Sequence, residues 1–105
     1  MDTLPFSADK LAKMAQATQC LKALGHPIRL GILCALKNGE CNVQQLETML
    51  GTSQSNISQH LNQMKHRDIL VSRREGNQVF YQVRDVRMFE LLNLLQTIYC
   101  GDDDA

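Results

Sequence analysis

The sequence lacks both a net charge and a long apolar run. Its 105 residues carry 11 basic and 11 acidic side chains, so the formal charge is zero. A neutral chain is poorly suited to coating nucleic acid without specificity. No apolar stretch approaches the roughly 20 residues of a membrane-spanning helix, and the N-terminus lacks the layout of a signal peptide. We therefore expect one cytoplasmic domain, residues 1–105, that does not enter a membrane.

The chain also lacks the residue sets on which catalysis depends. No nucleophile with a neighbouring base, no phosphate-binding loop and no pair of acids occurs at a usable spacing. We therefore expect neither an enzyme nor a cofactor.

The segment 52–64 lacks any Lys, Arg, Asp or Glu, yet its apolar residues follow a helical period. Ile57, Leu61 and Met64 lie at i, i+4 and i+7, on one face of a helix. The opposite face carries short polar side chains, namely Gln54, Ser55, Ser58 and Gln59. An ordinary solvated helix would more often carry Glu and Lys. The pattern therefore favours a recognition helix whose amides and hydroxyls contact base edges in the major groove.

Capping and turn residues divide the chain into elements. Ser7 or Asp9, Asn42, Thr52 or Ser53, and Asp85 can each cap a helix, and Pro27 suits a first helical position. The expected elements are α1 at 8–24, α2 at 27–37, α3 at 43–50, α4 from about 53 to 66, strands β1 at 69–74 and β2 at 78–83, and α5 at 86–100.

The order of these elements predicts a mainly α-helical winged helix-turn-helix, α1-α2-α3-α4-β1-β2-α5. A short helix, a turn at Gly51 and a polar-faced helix form the helix-turn-helix, residues 43–66. From Ile69 the apolar period changes to two, and Gly76 marks the tip of a hairpin, so residues 69–84 form the wing.

The charges are unevenly distributed. Between residues 52 and 84 there are five basic side chains against two acidic ones, so the field at the expected DNA face is positive. For phosphate or minor-groove contacts we select Asn56, His60, Lys65, Arg73, Arg74 and Gln78.

The core is expected to contain most of α2, the α3 face made by Val43, Leu46, Met49 and Leu50, and the methionines Met14, Met49, Met64 and Met88.

The last helix, 85–100, carries too many apolar residues for a lone surface helix. Such a helix indicates a buried partner, most simply its twin in a homodimer.

Three motifs resemble those of the ArsR/SmtB family of bacterial winged-helix repressors. They are ALGHPIRL at 23–30, SQSNISQHL at 53–61 and RREGNQVFY at 73–81, and the resemblance covers residues 8–100. It implies a homodimer, joined through the helices at 8–24 and 85–100, on an inverted-repeat operator in double-stranded DNA. The two recognition helices would then enter successive major grooves about 34 Å apart.

The metal sites of that family cannot be assembled here in the family's way. Its Cys-x-Cys motif would fall on Asn42 and Gln44, Asp85 is followed by Val86 and Arg87, and no His occurs after His66. We therefore predict no metal site, since amides are poor ligands for soft metals. A metal- or metalloid-responsive repressor with a site from Cys41, Cys34 or Cys100 across the dimer remains one alternative. A protein-binding winged-helix module remains another.

The sequence contains four cysteines. Because structural disulfides are rare in a reducing cytosol, we do not expect these residues to form them. On its own, Cys34 in an apolar helix is typical of a core residue. Cys34 and Cys100 nevertheless resemble, in position and local sequence, the pair of the HlyU, BigR and SqrR group, ArsR-type regulators that respond to reactive sulfur species and oxidants. The resemblance implies that the two thiols of one protomer join as a disulfide or polysulfide, which lowers operator affinity. Cys20 and Cys41 are interpreted as structural, with Cys41, just before a helix N-terminus, in reserve.

Overall fold

The protein is described by a computed structural model over residues 5–101. Within that range the elements follow the predicted order of a winged helix-turn-helix. The elements are α1 (Ala8–Leu24), α2 (Pro27–Ala35), α3 (Val43–Leu50), α4 (Gln54–His66), β1 (Leu70–Glu75), β2 (Gln78–Val83) and α5 (Met88–Tyr99). The outermost residues of the predicted 1–105 domain lie outside the described range.

Three helices begin where the sequence places a capping side chain. The Ser7 hydroxyl accepts from the Lys10 backbone N–H, and the Ser53 hydroxyl accepts from that of Asn56. Asn42 and Gln45 form a reciprocal capping box at the start of α3. Each cap satisfies a backbone N–H that the first helical turn leaves without a partner. These starts confirm the prediction to within one residue.

Two helix ends differ from the prediction. Residues Leu36–Asn38 form a 3-10 turn in place of the last turn of α2, and Leu36 within it is buried. The last helix begins at Met88 because Asp85 stabilises a turn: its carboxylate accepts from the Arg87 backbone N–H at 3.0 Å and binds the Arg87 side chain. The first turn of α5 is consequently tightened, with the Met88 N–H bonded to the Asp85 carbonyl at 2.9 Å.

The core is centred on α2, α3 and α4. Its completely buried side chains include Ile32, Leu33, Leu46, Ile57, Leu61 and Met64. Burying each aliphatic side chain of this size contributes roughly 1.5–3 kcal/mol. Gly31 lets α3 approach α2 closely, because a Cβ atom at this position would lie 2.7 Å from the Leu50 Cδ2 atom.

The prediction that all four methionines fill the core was wrong for two of them. Met64 is buried, but Met14 is 43% exposed and Met49 56% exposed. Leu46 and Leu50 turn towards the core, and Met49 lies about a quarter-turn away from the α3 face that they define.

The wing is a two-stranded antiparallel hairpin whose register pairs Leu70 with Val83 and Glu75 with Gln78. Gly76 begins its two-residue turn at φ +64°, a conformation that glycine adopts without strain. At the base of the wing, the Cys41 N–H donates to the Tyr81 carbonyl at 3.1 Å and the Tyr81 N–H donates back at 2.8 Å. These two bonds attach the wing to the loop before α3. None of the helices within residues 5–101 is long and apolar enough to cross a membrane.

Candidate nucleic-acid interface and thiol cavity

The predicted reading surface lies on the outer side of α4. Gln54, Ser55 and Gln59 are exposed and Ser58 is half-buried. The opposite side of the helix is fixed in the core through Ile57, Leu61 and Met64. We call the surface formed by Gln54, Ser55, Ser58 and Gln59 the reading face. Its geometry matches the periodicity of the sequence, and its contacts with bases stay a prediction.

Two polar residues of α4 make contacts at its ends. The Asn56 side-chain amide donates to the Thr52 hydroxyl at 2.8 Å and is half-buried. The Lys65 ammonium donates to the Ser72 hydroxyl at 2.7 Å, which joins the end of α4 to the wing. Lys65 therefore lies between the two structures that are expected to contact DNA.

His60 does not share the exposed surface, which corrects its assignment to the DNA contacts. Its side chain is 7% exposed, and its ring packs on that of His26 with the centroids 4.4 Å apart. Burial lowers the pKa of His60, and the neighbouring charges of His26 and Arg29 lower it further. Among the described residues its Nδ1 atom has no hydrogen-bond partner. His60 is a core residue of the recognition helix because it points towards α2.

Arg73, in the wing, is already engaged by carboxylates. Its guanidinium donates to Glu40 through Nε at 3.0 and 3.1 Å and to Glu75 through Nη1 at 2.7 Å. It also lies over the Phe80 ring, 4.8 Å from the centroid. The Arg73 guanidinium lowers the pKa of the Glu40 carboxyl, and the two carboxylates raise that of Arg73. Because Glu40 is 33 positions away, the sequence carried no signal of this pairing.

Arg74 and Gln78 extend the interface along the wing. Arg74 is exposed, and within the described part of the chain it forms no salt bridge. The Gln78 amide oxygen accepts from the Asn42 side chain at 3.0 Å. Beside this contact is a groove of about 400 Å³ between the starts of α3 and α4 and the wing, lined by polar residues that include Gln44, Gln54 and Asn77. Sequence reasoning did not identify Asn42 or Gln44 as part of this surface.

Cys34 and Cys100 lie in the wall of one cavity of about 650 Å³. The cavity is formed by α1, α2 and α5, and its other lining residues are Leu21, Leu24, Gly25, Leu30, Leu92, Leu95, Gln96 and Tyr99. We call it the thiol cavity. Both cysteines are free and exposed. The interpretation of Cys34, taken alone, as a core residue was therefore wrong: its position on α2 faces the cavity and not the packed side of the helix.

The other two cysteines lie where burial makes their thiols less reactive. Cys41 is 4% exposed, and burial followed by the charge of Glu40 raises the pKa of its thiol. Burial also raises the pKa of Cys20, which is half-buried. A raised pKa reduces the thiolate fraction, so neither residue is favoured as a nucleophile.

Residues 5–101 contain no cluster of three or more His, Cys, Asp and Glu side chains that could hold a metal ion.

The chain is similar to known regulators along most of its length. A model of the bacterial regulatory proteins of the arsR family matches residues 26–71. The biofilm growth-associated repressor of Xylella fastidiosa strain 9a5c is 35% identical over 104 residues, an alignment that covers 97% of this chain and 91% of the repressor.

Solved structures show the same likeness. Reduced HlyU from Vibrio cholerae N16961 has a TM-score of 0.80 and 33% identity, over 90% of this chain and 99% of HlyU. The homodimeric winged helix-turn-helix DNA-binding domain of a Mycobacterium bovis protein has a TM-score of 0.78 and 29% identity, over 91% of this chain and 89% of that domain. The chain therefore belongs to the arsR family of bacterial regulatory proteins and is a DNA-binding transcriptional regulator in the group of HlyU and the biofilm growth-associated repressors.

Proposed function

We propose that this protein is a homodimeric repressor whose affinity for an inverted-repeat operator falls when Cys34 and Cys100 of one protomer are linked by a disulfide or polysulfide. Reactive sulfur species or oxidants are the effectors, and the protein acts in the cytoplasm, where its operator lies. The observation that carries the proposal is that both thiols line one cavity. A direct disulfide needs Cα atoms within about 7 Å, whereas inserted sulfur atoms relax that limit.

The homodimer is supported by apolar side chains that the protomer leaves exposed on its first and last helices. They are Leu11, Met14 and Leu21 on α1 and Leu94, Ile98 and Tyr99 on α5, with exposed fractions between 43% and 80%. A monomer rarely exposes so many large apolar groups on two neighbouring elements. The similar M. bovis domain is homodimeric. Two copies of the reading face, related by a two-fold axis, match an inverted repeat.

A route from the thiols to the DNA face runs through α2. Cys34 is on α2, and the same helix holds the recognition helix through Arg29, whose Nη1 atom donates to the Gln63 side chain at 2.8 Å. Cys100 directly follows α5. This helix contacts the segment that follows α2, where the Lys37 ammonium donates to the Asn93 side-chain oxygen at 2.5 Å. A bridge between the thiols would therefore connect α2, which holds the recognition helix in place, to α5, which we expect at the dimer interface. The spacing of the two reading faces would then change.

Mass spectrometry of the intact protein tests the thiol switch. The reduced protein is treated separately with a persulfide donor, a peroxide and oxidised glutathione, and cross-linked peptides are identified. We expect a Cys34–Cys100 cross-link, with extra sulfur atoms if the effector is a persulfide. A plain disulfide with all three reagents would indicate a general oxidant switch. The absence of any Cys34–Cys100 cross-link would contradict the proposal.

Operator release is measured in parallel by gel shift on the upstream DNA of the protein's own gene. Cys34→Ser should keep DNA binding and lose release by the effector. Cys41→Ser is the matched control, since Cys41 is buried outside the thiol cavity, and it should respond as the wild type does. Unchanged release in Cys34→Ser would show that the pair is not the switch.

A further inference from the structure

The thiol cavity is larger and more apolar than sulfur transfer by itself requires. Its volume of about 650 Å³ falls in the range of roughly 300–1,000 Å³ that is usual for pockets that hold organic ligands. An inorganic persulfide has only two heavy atoms and would leave most of this space unfilled. The size of the cavity therefore points to an effector with an organic group attached to its reactive sulfur.

The wall of the cavity indicates that this group is uncharged. Leu24, Leu30, Leu92 and Leu95 form much of the wall, and Gln96 supplies its one amide side chain. No Lys, Arg, His, Asp or Glu lines it. A carboxylate that entered would lose part of its hydration without gaining a cation in return.

We infer that the thiol cavity selects persulfides whose organic group is uncharged and lipophilic over those whose organic group is anionic, such as glutathione persulfide. The inference rests on the proposed thiol switch and names its effector class. Leu21 and Tyr99 belong both to the cavity and to the exposed apolar surface assigned to the dimer, so the experiment uses the full-length protein in its native assembly.

The chemistry balances with the persulfide as the only co-reactant. One cysteine thiolate attacks the outer sulfur of R–S–SH, forms a Cys–S–SH group and breaks the donor S–S bond, and the thiolate R–S⁻ leaves and takes up a proton. The second cysteine thiolate then attacks the cysteine-bound sulfur of this persulfide and expels HS⁻. Both thiols are oxidised to the disulfide and the transferred sulfur is reduced to sulfide. Further donors insert one sulfur each and leave as R–SH.

The test compares N-acetylcysteine persulfide, which carries a carboxylate, with the persulfide of its methyl ester, in which an uncharged ester replaces that carboxylate. The rate of loss of the Cys34 and Cys100 thiols is followed by mass spectrometry. Each rate is divided by the rate of the same donor with a peptide of residues 94–101, which corrects for intrinsic reactivity. We expect a normalised preference of at least about tenfold for the ester, because the wall offers no partner for a charge.

Gln96→Lys places a cation in the wall of the cavity and keeps the leucines. The ratio of the two normalised rates, ester over carboxylate, should therefore fall towards one. Thr97→Lys is the matched control: it adds the same charge at the next, exposed position, which does not line the cavity, and should keep most of the preference. Equal normalised rates for both donors in the wild type, with the cross-link formed, would overturn the effector class and leave the switch intact. No cross-link with either donor would overturn both.

Discussion

Arg73 is a basic side chain of the wing whose charge is already balanced by carboxylates. A guanidinium held by Glu40 and Glu75 would have to exchange these partners for a phosphate in order to contact DNA. Arg74, on the neighbouring position, is exposed without such a partner among the described residues. The two arginines therefore differ in what they can contribute to DNA affinity, although they are adjacent in the sequence.

Glu40→Gln should raise operator affinity several-fold, because it releases Arg73 for a phosphate. One additional phosphate contact should also steepen the slope of log K against log salt by about 0.9. Fluorescence anisotropy over a salt series measures both quantities. Glu90→Gln, on α5, removes one negative charge away from the wing and serves as the control for net charge. Weaker binding by a correctly folded Glu40→Gln would mean that Glu40 positions Arg73 for DNA.

His60 makes the stability of the fold depend on pH. Its folded pKa is lowered, mainly by burial and then by His26 and Arg29, whereas the unfolded chain titrates near 6.5. Below about pH 6.5 the unfolded state therefore binds the proton more readily than the folded state, and the free energy of unfolding should decrease as the pH falls. Above that pH, the contribution of His60 to the free energy of unfolding does not change with pH.

Urea unfolding between pH 8 and pH 5 measures this loss. His60→Leu should reduce the dependence of stability on pH in the acidic part of the range. The same variant at pH 8, where the imidazole is neutral in both states, reports the change in packing separately. An unaltered pH dependence in His60→Leu would show that another group is responsible.

At the scale of the elements, side-chain caps and glycine turns place the helix-turn-helix. The capping box of Asn42 and Gln45 begins α3, and Gly51, at φ +67°, ends it. The Ser53 cap then starts the recognition helix two residues later. These signals are local: each involves residues within a few positions of one another, which is why the sequence predicted α3 at its observed bounds and α4 to within a residue.

Asn42→Ala should destabilise the protein by about 1 kcal/mol, the usual cost of losing an N-cap. Asn42→Asp keeps the oxygen that accepts the Gln45 N–H and loses only the amide donor to Gln78, so it should retain most of the stability. Urea midpoints at constant m-value compare the two. Equal losses in both variants would assign the stability to the contact with the wing and not to the cap.

At the scale of the whole molecule, most of the exposed large apolar side chains of the described residues lie on α1 and α5. The helix-turn-helix and wing bury most of their apolar side chains in the core, with Met49 an exception, so their polar surfaces are free for DNA. This division places the proposed dimer contacts and the proposed DNA contacts on different helices.

Ile98→Lys should convert the dimer into a monomer, because it places a charge where we expect the partner's apolar helix. Ile98 is 60% exposed in the protomer, so the protomer itself should tolerate the change. Sedimentation velocity reports the assembly, and operator affinity should fall by at least about tenfold, as expected when a central interface residue is lost. Thr97→Lys should remain dimeric. A dimeric Ile98→Lys would contradict the assignment of this surface.

Local signals in the sequence determined the order of the elements, most helix starts, the hairpin turn and the family. The periodicity of Ile57, Leu61 and Met64 also determined which side of α4 is buried and which forms the reading face. Such features depend on residues that are neighbours along the chain, because hydrogen bonds of caps and turns and the period of a helix extend over only a few positions.

Only the tertiary structure decided which distant residues meet. It placed Glu40 against Arg73 and turned His60 away from the expected DNA contacts towards His26. It also gave Cys34 and Cys100, which the family resemblance had already paired, a shared cavity. These contacts join elements that are far apart in the sequence. Their geometry follows from how the helices and the wing pack, and no pattern of spacing along the chain encodes it.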